Sequence, residues 1–392
     1  MEQFEDALAA FEADTRPQGR VLRAGLELIE TMGIDRVTVA AILGEAGVAR
    51  GTVYAHFGDV FGVFATAWSK LGAPWLRLMM TAPDEDAMPT AYRSALTQIL
   101  CAARRAPVLN EVVQPDVEQV WADLDRASEV AELRAAWHLV MRLSRDLSIA
   151  VLPAVTLLDP IIDTVGSLPD DARERYGLAG RTRPPLEVPE APSPFDAEQD
   201  DITRRLMVAA VDVVASSGLA AASMLRVCRT ARLTPGAASP RFADLRALHD
   251  YAFRVSLADV VRQNRELFLG RAGELPIPDR AATMSTMSMG ESRRQWRRYR
   301  QEFHIAACTD HEVAAMMHDA ITSTDPQSME ELRAAGIPEA ILAPMIMFTH
   351  VAATGVAAVD ALGLPLAELD HRPVFRWIYE NLTGTVVVGA DE

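Results

Sequence analysis

Residues 38–57 read TVAAILGEAGVARGTVYAHF, and this stretch decides the fold. Thr38 can cap a helix whose apolar positions Val39, Ile42, Leu43 and Ala46 recur at spacings of three and four. Gly47 supplies the permissive backbone of a tight turn between helices. Val48 plugs the corner, and a second short helix is expected from about Ala49 to His56. The pattern is that of a helix-turn-helix, with Arg50, Thr52, Tyr54 and His56 left as polar groups on the second helix.

The spacing resembles the N-terminal DNA-binding domain of the tetracycline-repressor (TetR) family, whose motif runs roughly A-G-V-S-x-G-T-[LIV]-Y-x-H-F. Ala46, Gly47, Val48, Gly51, Thr52, Val53, Tyr54, His56 and Phe57 occupy the matching positions. The resemblance implies that Thr38, Arg50, Gly51, Thr52, Tyr54 and His56 face DNA. Arg50 and Thr52 would reach base edges, while Tyr54, His56 and the helix start at Thr38 would hold phosphates. Two positions depart from the family: Ala49 stands where a serine is usual, and Val60 where a phosphate-binding lysine is usual. Acidic and basic residues balance at five each between residues 16 and 69.

Outward from the motif, residues 16–33 form an amphipathic helix through Val21, Leu22, Leu26, Leu28 and Ile29, ended by Gly33. Asp59 is placed to cap a longer helix through Val63, Phe64 and Trp68. Adding 185 to each position of this region aligns it, without a gap, with residues 201–254. Gly33 meets Gly218, Ala46 meets Ala231, Gly51 meets Gly236, Phe57 meets Phe242 and Asp59 meets Asp244. A repeat of this length implies that one domain occurs twice.

The expected fold class is therefore all-α: two tandem TetR-like units, each a three-helix helix-turn-helix domain followed by a helical ligand-binding and dimerisation domain. The boundaries read as 1–70 for the first helix-turn-helix domain and 71–165 for its helical partner. A Pro-rich linker spans 166–200, with a short helix near Asp170–Tyr176; the second, degenerate helix-turn-helix domain spans 201–255, and its helical partner 256–392. Ala343–Ala361 and Val374–Leu382 read as closing helices. Family subunits pair through their last two helices, so the two halves imply an intrachain pseudo-dimer, with a homodimer of whole chains as an alternative. The small residues Ala352, Ala353, Gly355, Ala357 and Ala358 suit close helix approach, or ordinary core packing of one half.

The second reading head is weaker. Ala237, Ala238 and Ser239 replace Thr52, Val53 and Tyr54, and Pro240 cuts the helix short. Eight arginines oppose four aspartates between residues 201 and 254, so Arg232 and Arg241 are candidates to hold phosphates without reading sequence. A solvated face on a worn domain is the plainer alternative.

Composition agrees with a helical chain of 392 residues: 49% hydrophobic, 6% aromatic. The net charge of −16 argues against nonspecific coating of nucleic acid, though not against a local basic face. Cys101, Cys228 and Cys308 have no zinc or redox spacing and read as reduced thiols of a cytoplasmic protein. The N-terminus is acidic, neither a secretory signal nor a basic arm. Ala340–Val359 is apolar enough to mimic a membrane span, but Pro344, His350 and small residues favour a packed helix and no membrane partner.

Two aromatic and Met-rich sets, Trp121, Trp137, His138, Met141 and Trp296, Tyr299, Phe303, Met316, Met317, are candidates to line a cavity for a small, largely apolar effector, or simply to fill the core. His304, Cys308 and His311 have helical metal-ligand spacing, but Thr309-x-x-Glu312 reads as a capping box that starts a new helix between them, so no metal is expected. Arg293–Arg300 (RRQWRRYR) reads as an exposed helix face with Trp296 tucked inward. No nucleophile elbow, phosphate loop or reacting carboxylate pair is present, so neither enzyme chemistry nor a cofactor is expected. The functional expectation is a ligand-responsive repressor on a double-stranded DNA operator; its rival is a sensor or partner protein that has lost specific DNA binding.

Overall fold

Residues 1–125, 128–178, 190–196, 198 and 200–385 are described in a computed structural model, and among them all regular structure is helical. The leading domain comprises α1 (Glu2–Glu12), α2 (Pro17–Met32), α3 (Val39–Ala46), α4 (Arg50–His56) and α5 (Val60–Thr81). The Thr38 hydroxyl accepts from Ala41 N (3.2 Å) at the start of α3, and Asp59 accepts from Gly62 N (2.8 Å) at the start of α5. Gly47 turns the chain between α3 and α4 with φ 60°, the left-handed region that glycine enters at no steric cost. Ile42 and Val53 are buried between these helices and α2. The acidic N-terminal segment forms α1 and buries Phe4 and Phe11 against the module.

After residue 81 come α6 (Arg93–Ala102), α7 (Pro107–Asp125), α8 (Glu129–Ser148), α9 (Asp159–Gly166) and the single turn α10 (Ala172–Arg175). The second half runs through α11 (Asp201–Ser217), α12 (Met224–Thr230), α13 (Pro235–Ala238), α14 (Leu245–Glu266), α15 (Ile277–Ser288), α16 (Arg294–Ala307), α17 (His311–Thr322), α18 (Asp325–Ala334), α19 (Glu339–Ala361) and α20 (Arg372–Thr383). The starts of α3, α4 and α5 recur 185 residues later as those of α12, α13 and α14. The caps recur too: Ser223 accepts from Arg226 N (3.3 Å) and Asp244 from Ala247 N (2.8 Å). Gly33 and Gly218 end their helices with φ 80° and 84°. At the position of Gly47 stands Arg232, held at φ 55°; a non-glycine residue there costs about 1–2 kcal/mol. Arg205 Nη2 donates to the Ala231 and Arg232 carbonyls and fastens that turn.

The boundaries expected at 70/71 and 255/256 fall inside α5 and α14, so each three-helix unit continues through one helix into the helical body behind it. The Pro-rich stretch carries α10 within the short helix expected near Asp170–Tyr176, and is packed against the body where it is described. Tyr176 is buried, its hydroxyl donating to Glu380 Oε2 (2.6 Å), and Phe195 is buried as well. Residues 179–189, 197 and 199 of that stretch, and the end of the last expected helical segment beyond residue 385, lie outside the described residues.

α8 and α9 from the first half pack against α19 and α20 from the second. The α8–α19 crossing is close because Gly355 carries no side chain: a Cβ there would lie 2.0 Å from the Val140 carbonyl oxygen. Gly355 N instead donates to Ser144 Oγ (3.1 Å). Trp137 of α8 sits edge-on to Phe375 and His371, with ring centroids 5.1 and 5.4 Å away. α19 is also the one described helix long and apolar enough to cross a bilayer, and 61% of its most apolar window is buried inside the protein.

Candidate functional site

Two features stand out: an exposed helix at the leading end, and a set of apolar clefts in the second half. On α4, Val53 turns inward while Arg50, Gly51, Tyr54 and His56 face solvent and Thr52 is half-buried. Thr38 is exposed at the start of α3. The Arg50 guanidinium lies 5.6 Å from the Tyr54 ring centroid, which holds both groups on one face. His56 Nε2 meets the Gln18 side-chain nitrogen at 3.3 Å, so α2 steadies the end of α4. A Cβ on Gly51 would meet nothing within 4 Å, so the fold itself does not require glycine there.

The second head is built differently. α13 ends at Ala238, ahead of Pro240, as the sequence implies. Arg232 is exposed at its left-handed turn. Arg241 is engaged: Nε and Nη2 reach Asp200 at 2.6 and 3.2 Å, and Nη1 donates to the Ala237 carbonyl (3.1 Å). The same guanidinium holds the Asp200 carboxyl well below the usual carboxylate range. A phosphate approaching Arg241 must therefore displace a carboxylate.

The two heads meet a shared seam. Arg105 joins Asp35 of the first head (2.8 Å) to Glu302 of α16 (3.0 Å), and Arg104 adds a second contact to Glu302 (3.1 Å). Burial pushes the Glu302 carboxyl up to about 7, opposed by the Arg105 and Arg104 charges. Arg36 pairs with Asp310 across the same seam.

Behind the heads the halves diverge. In the first, Phe64, Trp68 and Trp75 are fully buried, and Trp68 Nε1 donates to Asp116 Oδ2 (2.8 Å). Buried Arg142 donates to the Leu78, Met79, Ala82 and Asp84 carbonyls and so seals the end of α5. In the second half α15 follows α14 as α6 follows α5 in the first. There a cleft with about 630 Å³ of empty space, mouth included, lies among α14, α15, α16, α18 and α19. Leu257, Val260, Phe268, Met284, Leu332 and Met345 line it, with Arg300 at its wall. Two neighbouring clefts of about 540 and 440 Å³ share Met284 with it, a flexible side chain suited to a movable partition.

Of the aromatic and Met residues singled out for an effector, Trp137 and Trp296 line the smallest of these three clefts. The others line none of the three. His138 and Met141 are buried on α8, with His138 between the Met80 and Ile162 carbonyls. Trp121 is half-buried on α7. The Tyr299 and Phe303 rings touch at a tilt, centroids 4.8 Å apart, and Met317 is buried and Met316 half-buried on α17.

The RRQWRRYR run is not an exposed face. Arg293, Arg297 and Arg300 are all 1% exposed or less. Arg297 donates to the Ser288 and Gly290 carbonyls, and Arg293 to Asn264 and Gln263, so polar partners draw both guanidiniums inward. No periodicity in sequence distinguishes such arginines from solvated ones. The cap of α17 is Asp310, accepting from Glu312 N and Val313 N (3.1 and 3.2 Å), rather than Thr309. His304 and His311 thus sit on different helices, and among the described residues no group of three His, Cys, Asp or Glu is placed to share a metal ion.

Residues 21–59 match the model of the family described as bacterial regulatory proteins, tetR family. Similar proteins include uncharacterized HTH-type transcriptional regulators of Mycobacterium tuberculosis and Mycobacterium bovis, each 37% identical over 71 residues. The aligned segment is 18% of this chain and covers 38% of those relatives' own length. Both similarities support a TetR-type helix-turn-helix transcriptional regulator.

Proposed function

We propose that this chain is a ligand-responsive, DNA-binding repressor acting in the cytoplasm, assembled from two TetR-like units that pair within one polypeptide. The observation that carries the reading is the exposed α4 face, where Arg50, Thr52, Tyr54 and His56 project from a helix-turn-helix. Such a helix enters the major groove, reads base edges with its first turn and sets its register through phosphates. The trailing head adds phosphate contacts at most, since Arg241 is occupied and α13 is a single turn ending in Ala237 and Ala238.

The response runs through α14. This helix carries the second head's cap, Asp244, at one end and the cleft-lining Leu257 and Val260 further along, a span of about 20 Å at the usual rise per residue. An apolar effector among α14, α15 and α19 tilts that lever and moves the second head. The first head, on α5 over a filled core, stays put. A mismatch with consecutive grooves then favours release, a population shift set by the effector's differential affinity.

Titration of fluorescent DNA from the chain's own upstream region tests this. Binding is expected to weaken as salt rises, and Tyr54→Ala to weaken it roughly tenfold at each salt concentration. No binding of the unsubstituted protein below about 10 µM, a weak nonspecific level, supports the rival sensor reading instead. Gly51→Ala separates fold from recognition. It should raise stability by about 0.5–1 kcal/mol, as alanine does in helices, and weaken DNA binding because its methyl group stands between α4 and the groove. Unchanged affinity would remove Gly51 from the contact surface.

A further inference from the structure

Resting on the reading of the second-half cleft as the effector site, we infer that its ligand is an apolar acid whose carboxylate meets Arg300. The walls are largely apolar, and of the two cations that line them only Arg300 is buried. Arg300 is 1% exposed, lies within α16 and lines the largest of the three clefts. Its neighbours Arg293 and Arg297 are met by amide or carbonyl oxygens, and Arg297 also lies 3.6 Å from Asp360.

Arg300 is treated differently. Its Nη2 donates to the His350 carbonyl, and among the described residues no hydrogen bond engages Nε or Nη1. Among the described residues no carboxylate lies within ion-pair distance of it, and the Trp296 and Phe253 rings lie 5.5 and 5.9 Å from the guanidinium carbon. Burial alone lowers it to about 9, so it remains charged near neutrality. A buried cation without a counter-charge is costly, and an arriving carboxylate removes that cost with charge-assisted hydrogen bonds. The site thus has a fixed polar anchor and an apolar body, the usual plan of a small-molecule pocket. The cationic Arg265 at the rim offers no equal alternative, because Glu331 already holds it at 3.0 Å.

The preference can be measured on the full chain with two probes of equal length, sodium decanoate and 1-decanol, by isothermal titration and Trp fluorescence. Decanoate is expected to bind at least about tenfold tighter, the ratio of a charge-assisted hydrogen bond to a neutral one. Arg300→Lys keeps most of this preference, Arg300→Met abolishes it while decanol binding persists, and Val260→Trp, which fills the cleft, removes both. If Arg300→Met does not fold, the decanoate-to-decanol ratio of the unsubstituted chain and of Arg300→Lys still decides. Equal binding of the two probes overturns the acid inference and leaves the effector cleft intact. Binding of neither, or binding that survives Val260→Trp, overturns the cleft reading itself.

Discussion

Acidification is expected to unfold this protein early, with stability falling by about 3 kcal/mol for each pH unit between roughly pH 6 and 5. The cause is a set of buried, neutral histidines. Burial lowers His249 to about 4, His304 to about 3 and His371 to about 4. The geometry agrees for His371, since Trp137 Nε1 donates to its Nδ1 (3.2 Å) and that nitrogen must stay unprotonated to accept. His249 and His304 have no partner at Nε2 among the described residues.

A ring whose folded pKa lies below its unfolded value contributes stability that is present above about pH 6.5 and disappears as pH falls toward the folded value. Three such rings each contribute about 1.4 kcal/mol per unit in that window. Glu302 acts in the opposite sense: raised to about 7, it binds a proton in the folded state before the unfolded one does, so it gains stability on acidification and offsets one ring. His138 contributes less, because both its nitrogens face carbonyl oxygens at 3.2 Å and a second proton would find an acceptor. Urea titrations at pH 7, 6 and 5.5 measure the slope. A flat profile across that range would show that the rings are charged or exposed in solution.

Glu302→Ala should destabilise the protein by about 3–5 kcal/mol, the range for removing one partner of a buried ion pair. The carboxylate has two guanidiniums against it, and Arg105 in turn holds Asp35 at the corner of the first head. Without it Arg104 and Arg105 are left partly buried with only Asp35 to compensate them. The midpoint of urea unfolding reports the loss. A decrease below about 1 kcal/mol, the ordinary worth of an exposed pair, would mean that water reaches this seam.

The local grammar of the heads was legible because it is written in caps and turns. Thr38, Asp59, Gly33 and Gly47 each act where their chemistry places them, and their counterparts 185 residues on keep the same offsets. What was not legible depends on contacts distant in sequence. The inward turn of Arg293, Arg297 and Arg300 is set by carbonyls and amides on α14, α15 and α19, which no helical period encodes. The cleft was missed for the same reason. Its lining comes from five helices far apart in sequence, and aromatic residues, the usual signal, mostly fill the core instead.

The crossing of α8 over α19, tight enough that Gly355 cannot carry a methyl group, joins surfaces encoded at two separate places in one gene. In a homodimer every mutation arises in both copies at once, and each copy must tolerate it. Here a change at Ser144 leaves Gly355 untouched. The two sides are free to drift apart in sequence, and dilution in the cell cannot part them.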